Sequence, residues 1–489
     1  MPLKFVFGPS GSGKSTYLYQ HVIEESEKYP LKNFIVLVPE QFTMQTQKDL
    51  VSMHPRHGIM NIDVLSFARL AYRVFEETGT KQMQVLDDEG KNLILRKIAG
   101  DYENKLTVLK GNIKKLGYIS EVKSVISEFT QYDIGEEEMD EMLDHLDEDS
   151  RLYYKLKDIR LLYEGFQDYL RERYITKEEL LDVLNSQVKE SELLKNSVVV
   201  LDGFTGFTPV QNRLILELMR CCKEVWVTVT MDERENPYAY KHPYQLFGLS
   251  KQMVTTLVRM AGGDHIEVEE PVCLYGYPVK RFEKNQELAF LERNIFRYGS
   301  GRYDKAVENL EIHAAGNPRQ EADAVAEGIR RLVRKEQYRY RDIGVIVSDM
   351  NVYGDYLEQA FENYGIPVFM DHKRSILLNS FVEYIRSLLN MAEKNFSYES
   401  VFRFLRTNLA GFACEEVDEL ENYVLGLGIR GYKGWQNRWI RRLKGMEEEE
   451  LDRLNHYRVQ LVEKVDNLMF VLKQKRKTVR DITMAVYEF

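Results

Sequence analysis

The stretch Leu3-Lys-Phe-Val-Phe-Gly8-Pro9-Ser10-Gly11-Ser12-Gly13-Lys14-Ser15 decides the fold. Its first five residues form a short β-rich run, Gly8 interrupts it, and a helical pattern follows from Lys14 to about Glu27. From Gly8 to Ser15 the sequence satisfies G-x-x-x-x-G-K-[ST] at every position. Each part has a chemical reason. Glycines let the backbone turn its N–H groups toward phosphate oxygens, aided by the positive end of the following helix. Lys14 supplies charge to the β- and γ-phosphates, and the Ser15 hydroxyl suits Mg²⁺. The expected ligand is ATP with Mg²⁺, held by Gly8, Pro9, Ser10, Gly11, Ser12, Gly13, Lys14, Ser15 and Thr16.

Outward from the loop, short apolar strands alternate with amphipathic helices. NFIVLVP (33–39) reads as a buried strand, and NIDVLS (61–66) as another that runs into the helix FARLAYRVFEETG. This alternation predicts an α/β layer with a parallel sheet. Residues 86–194 change character to long helical segments with few strand signals, including the acidic EEEMDEMLDHLDEDS, read as a solvated helix and turn. Strands resume at SVVVLD (197–202) and EVWVTVTMD (224–232), so the first sheet closes around the insertion. LEIHAAG (310–316), DIGVIVSD (342–349) and IPVFMD (366–371), separated by two helical patterns, predict a second α/β module. From about 380 the pattern is helical again.

Composition excludes several classes. The 489 residues are 44% hydrophobic, enough for a sizeable core, with no apolar run of membrane-spanning length and no signal peptide. A cytoplasmic location is expected. Cys221, Cys222, Cys273 and Cys414 form no zinc spacing and are expected to be reduced, buried thiols. His54 and His57 flank Pro55, a loop rather than a metal site. A net charge of −10 argues against a globally basic nucleic-acid binder, though not against a local basic track.

The metal's second partner should be an Asp at the end of a buried strand, and Val198-Val199-Val200-Leu201-Asp202 supplies it. A turn-capping aspartate is the alternative role. Gly203 follows where fast P-loop motors carry a glutamate that polarises the attacking water. General-base assistance is worth roughly 10²–10⁴-fold in rate, so binding with slow or absent turnover is expected.

These residues support a resemblance. The chain resembles the AddB/RexB subunits of bacterial AddAB-type helicase–nucleases, built on the superfamily 1 helicase plan. The likeness rests on GPSGSGKS, VPEQFT (38–43), DVLSFARL (63–70), LDGFTGFTPVQ (201–211), LERNIFR (291–297) and the segment from Glu321 through Asp371, and it covers essentially the whole chain. It implies an α/β fold of two RecA-like P-loop modules with parallel sheets, each carrying a helical insertion. The boundaries are 1–85 with 195–304 for the first module, 86–194 for its insertion, 305–385 for the second module, and 386–489 for a partial helical insertion. In motor helicases the counterparts of VPEQFT and DVLSFARL touch single-stranded DNA, which places Gln41, Phe42, Thr43, Ser66 and Phe67 at such positions. Phe42 or Phe67 would stack on a base or belong to the core.

Departures from the motor pattern point one way. Asp-Gly replaces Asp-Glu at 202–203, ERENPYAY after the strand 224–232 has no Gly-Asp-x-x-Gln, and Arg297 lies one residue off the family arginine near the γ-phosphate, which favours reading it as a surface arginine. Residues 430–445 hold six Lys/Arg, no acids and two of the three tryptophans. Arg438 and Trp439 would contact DNA there, or the segment is an amphipathic helix with tryptophan in the core.

The resemblance implies a non-translocating, ATP-binding subunit that holds or scans unwound single-stranded DNA during double-strand-break processing in recombinational repair. Its partners would be an AddA-type motor and nuclease subunit, with single-stranded and double-stranded DNA and no membrane. An iron–sulfur cluster and a nuclease are expected only in the C-terminal region of longer relatives. An autonomous superfamily 1 helicase is the alternative; a small-molecule P-loop kinase fits the duplicated modules and long insertions poorly.

Overall fold

The computed structural model describes residues 2–79, 84–113, 115, 117–171, 174–297, 301–371 and 376–489. It divides into two compact units, Met1–Ile312 and His313–Phe489.

In the first unit the strands are β1 (Leu3–Gly8), β2 (Asn33–Leu37), β3 (Ile62–Leu65), β4 (Gln84–Leu86), β5 (Tyr174–Thr176), β6 (Ser197–Leu201), β7 (Glu224–Thr230) and β8 (Val272–Cys273). Six of them form one sheet in the order β3-β2-β6-β7-β1-β8, and its paired strands run parallel. The near-continuous apolar runs follow from burial on both faces. Phe5, Phe7, Ile35, Leu37, Val199, Leu201, Val225 and Val227 enter one core. Their alternates Val6, Phe34, Val36, Val198, Val200 and Trp226 enter the other, against Leu18, Val22 and Ile23 of helix α1 (Lys14–Lys28). This period of two fixes the register, because a slip of one residue would exchange the two cores.

Residues 88–170 are mainly helical and build a separate core around Leu95, Ile98, Leu162 and Phe166. The insertion is joined at its base by a two-stranded parallel pairing of β4 with β5, Gln84 opposite Tyr174. Each strand has three residues, too few for a sequence period to register.

The second unit departs from expectation. Helices Pro318–Lys335 and Met350–Asn363 form where the pattern predicts them and share a core of Ala322, Ala326, Leu357 and Phe361. The segments expected as strands, 342–349 and 366–371 in this unit and 310–316 at the boundary between the two, carry no strand assignment among the described residues. β-Branched content alone does not make a strand; the backbone groups need a neighbour to pair with, and these segments have no ladder partner there. From Ser380 the unit is helical, with a core that includes Leu388, Phe404, Tyr423, Trp435 and Leu461. Among the described residues no helix is long and apolar enough to cross a membrane. Of the thiols expected to be buried, Cys273, on the edge strand β8, and Cys414 are exposed.

Candidate nucleotide site

The site forms where β1, β6 and β7 end and α1 begins, at the carboxyl edge of the sheet, where parallel sheets bind ligands. Gly11 and Gly13 have φ of 81° and 92°, a left-handed backbone that glycine adopts without strain. Gly13 is the N-cap of α1, and no side chain caps this helix end. Lys14 donates from Nζ to the carbonyls of Gly8 (3.0 Å) and Pro9 (2.9 Å), which holds it inside the loop it closes. Burial lowers its pKa to about 8; the Arg281 charge lowers it too, while Asp202 and Glu292 act in the opposite direction.

Asp202 stands one residue beyond β6, and the single strand β7 separates it from β1. The residue is 4% exposed, so its carboxylate needs donors to offset desolvation. Three hydroxyls supply them. Ser15 donates to Oδ1 (3.1 Å), Thr228 donates to Oδ1 (2.6 Å) and Tyr19 donates to Oδ2 (2.6 Å). Burial and the Asp202 charge push the Tyr19 phenol far above its ordinary range, so it stays a donor. Tyr19 also meets Thr46 at 3.4 Å, which links Asp202 to the helix Thr43–Met53.

Sequence reasoning does not find Tyr19 or Thr228. Tyr19 lies four residues after Ser15 and so shares its helix face. Thr228 follows from parallel register, since Leu201 pairs with Val227 and the next pair is Asp202 with Thr228. Both signals become usable only when the strand order is known.

The residues fit a triphosphate with Mg²⁺. Ser15 and Asp202 bring two hard oxygen donors together at the mouth of a phosphate loop. Among the described residues no cluster of three or more His, Cys, Asp or Glu could cage a metal alone. Mg²⁺ needs no such cage, because one or two protein oxygens complete a shell made mostly of phosphate and water. The Ser12 hydroxyl is buried inside the loop without a hydrogen-bond partner, an orphaned polar atom in a loop that otherwise presents backbone donors.

Gly203 has φ of 79°, and a β-carbon there would meet nothing nearer than Pro39 Cδ at 3.7 Å. Space would admit a larger residue; the left-handed backbone disfavours one by about 1–2 kcal/mol. The turn backbone therefore favours glycine at this position. Arg297 is paired with Asp232 (3.4 Å) and Glu235 (3.2 Å). Arg234 bonded to Asp232 holds that carboxyl down at about 2.

The residues expected at DNA divide by exposure. Phe42 is 49% exposed and Gln41 is exposed, both in the short turn Glu40–Phe42. Thr43 is buried and donates to the Glu40 carbonyl (3.0 Å). Ser66 caps the helix Phe67–Thr78 by accepting from the Arg69 N–H. Phe67 is a core side chain, its ring 5.4 Å from Phe204 and edge-on to Phe207. Trp439 is also a core residue: its indole donates to the Gly434 carbonyl (3.0 Å) and its ring lies 5.3 Å from Trp435. Neither Phe67 nor Trp439 offers a free face for a base, because each is enclosed by other aromatic rings. Arg438 is exposed and pairs with Asp452 (3.1 Å).

A family model described as ADDB, N-terminal, matches residues 5–292. A protein of Lachnoclostridium phytofermentans, named as a subunit of an ATP-dependent helicase/deoxyribonuclease, is 43% identical over 494 residues, covering 100% of this chain and 43% of that protein. Proteins of the same name from Caldanaerobacter subterraneus and Clostridium acetobutylicum are 34% and 31% identical, again over 100% of this chain and 42% and 43% of their own lengths. The chain thus spans less than half the length of these curated relatives.

Proposed function

The chain belongs to the AddB family, and from that premise we propose that it is the nucleotide-binding part of the AddB-type component of an ATP-dependent helicase–deoxyribonuclease that processes DNA ends in recombinational repair. The observation that carries the reading is the joining of the 8–15 loop to Asp202 through Ser15, with Gly203 on a left-handed backbone beside it. Loop N–H groups and Lys14 take the phosphates; Ser15 and Asp202 face the cation, whose charge offsets that of the phosphates. Tyr19 and Thr228 hold the Asp202 carboxylate in place.

No carboxylate follows Asp202 to orient a water, which supports tight holding of ATP over rapid turnover. An AddA-type motor subunit would then drive translocation, and this chain would hold or scan single-stranded DNA. Gln41 and Phe42 are its best-placed contacts, because the Thr46–Tyr19–Asp202 connection joins their neighbourhood to the nucleotide site.

The test is a DNA-stimulated ATPase assay on the chain alone, paired with equilibrium binding of Mg·ATP. Binding with turnover at least a hundredfold below that of a motor helicase is expected. Brisk DNA-stimulated turnover that collapses in Lys14→Ala would establish an autonomous helicase instead.

A further inference from the structure

The segment after β8 follows the phosphate loop closely. β8 lies parallel to β1, with Val272 opposite Val6 and Cys273 opposite Phe7, and the Leu274 N–H donates to the Phe7 carbonyl at 2.8 Å. The Leu274 carbonyl comes within 3.0 Å of where a β-carbon on Gly8 would sit. The chain then reaches the short turn Lys280–Phe282, where the Arg281 N–H donates to the Gly11 carbonyl at 3.0 Å. The segment is therefore tied to the start of the loop and to its middle.

The side chains continue this approach. Arg281 passes across Gly11, its Cβ, Cδ and Nε at 2.7, 3.3 and 3.4 Å from the position of a β-carbon there. Lys280 Cδ stands 3.4 Å from the same position on Gly13. These two glycines thus leave room for cationic stems as well as for phosphate.

The neighbouring arginines show what is unusual about Arg281. Arg234 pairs with Asp232 (2.6 Å), Arg293 with Glu233 (3.1 Å), and Arg297 with Asp232 and Glu235. Among the described residues Arg281 is exposed and has no carboxylate at ion-pair distance. Its charge is near enough to Lys14 to help lower that lysine's pKa. Three cations, Lys14, Lys280 and Arg281, thus converge on one loop of backbone donors, an arrangement that a polyanion stabilises.

We propose that Arg281 binds the terminal phosphate of the nucleotide, supplied from within the same chain, and makes the site prefer a triphosphate over a diphosphate. Lys14 reaches the β- and γ-phosphates, and its Nζ rests at the Gly8–Pro9 end of the loop, so the terminal phosphate belongs on that side. Arg281 crosses the loop at Gly11, between that end and the start of α1. Its planar fork can engage two phosphate oxygens, which a lysine cannot reproduce. The inference rests on the nucleotide reading of the 8–15 loop.

Isothermal titration of the 489-residue chain with Mg·ATP and Mg·ADP tests it, with Arg281→Ala, Arg281→Lys and Lys14→Ala. Arg281→Ala should lose about tenfold or more in ATP affinity and less than about twofold for ADP. Arg281→Lys should fall between, and Lys14→Ala should weaken both nucleotides. An equal loss for both nucleotides, or no loss for ATP, overturns the role of Arg281 and leaves the nucleotide site standing. Wild-type chain that binds neither nucleotide overturns the nucleotide reading itself. A thermal melt accompanies each variant; if Arg281→Ala melts early, Arg281→Lys carries the same comparison.

Discussion

Residues 198–201 and 343–347 read much alike as sequence, VVVL and IGVIV, yet they end in different states. The first is the heart of a six-stranded sheet, fully enclosed between β2 and β7. The second lies against two helices, with Val345 at 42% and Ile346 at 98% exposure and no ladder among the described residues. An open hollow of about 880 Å³, lined in part by Ile343, Val347, Ile366 and Phe369, marks its surroundings. Leu201 and Gly344 apart, both stretches are made of residues that favour strands. What differs is the supply of hydrogen-bonding neighbours, and that decides whether the preference becomes a strand.

Amide hydrogen exchange should show the contrast most strongly. Amides at 198–201 should exchange only through global opening, at rates several orders of magnitude below those at 343–347; equal protection would break the comparison. Core truncation comes next. Leu37→Ala, at a fully buried position in β2, should cost about 2–5 kcal/mol in urea unfolding, while Ile346→Ala should stay within about 0.5 kcal/mol. A cost at Ile346 matching that at Leu37 would mean that 343–347 is packed after all.

Nucleotide should sharpen the difference further. Mg·ATP at a hundred times its Kd should stabilise the first unit by about 2.7 kcal/mol and leave exchange at 343–347 unchanged. Lys14→Ala should abolish that gain, and a gain surviving the substitution would place the ligand elsewhere.

The smallest effect concerns pH. In the free chain the Lys14 pKa is lowered to about 8, and bound phosphate favours its charged form. Affinity should therefore be flat below about pH 8 and fall by up to about tenfold per pH unit above it, until the pKa of the bound form is reached. Titrations from neutral to alkaline pH check this, and a flat profile through that window would show that Lys14 does not gain its charge on binding.

Local chemistry was legible in the sequence; tertiary partnership was not. The 8–15 pattern was legible because it lies in one contiguous run, and the structure sets that run between a strand and a helix. Asp202 was readable as a strand-end carboxylate. Tyr19 and Thr228 were not, since their meeting at Asp202 depends on a helix face and a strand register from distant parts of the chain. Arg281 reaches the loop only because β8 lies alongside β1. Aromatics beside basic residues carried two readings in the sequence; in the structure Trp435 and Trp439 pack together, and Arg458 donates to the Trp435 carbonyl at 2.7 Å. The strand signals at 342–349 and 366–371 misled for the reason that separates the two regions above.

The position of β1 in its sheet also sets the order in which the molecule can assemble. β1 is synthesised before the other strands of its sheet, yet it pairs with neither β2 nor β3; its ladder partners begin at Val225 and Val272. At about 5–20 residues per second, a ribosome needs on the order of 10–40 s to deliver the first of them. In that interval the 88–170 helices can fold on their own core, since their contacts are local. The intervening length adds little to the equilibrium cost of closure, because each doubling of a loop costs only about 0.6 kcal/mol. The expense is temporal: an apolar strand and the loop that follows it wait unpaired until β7 has emerged.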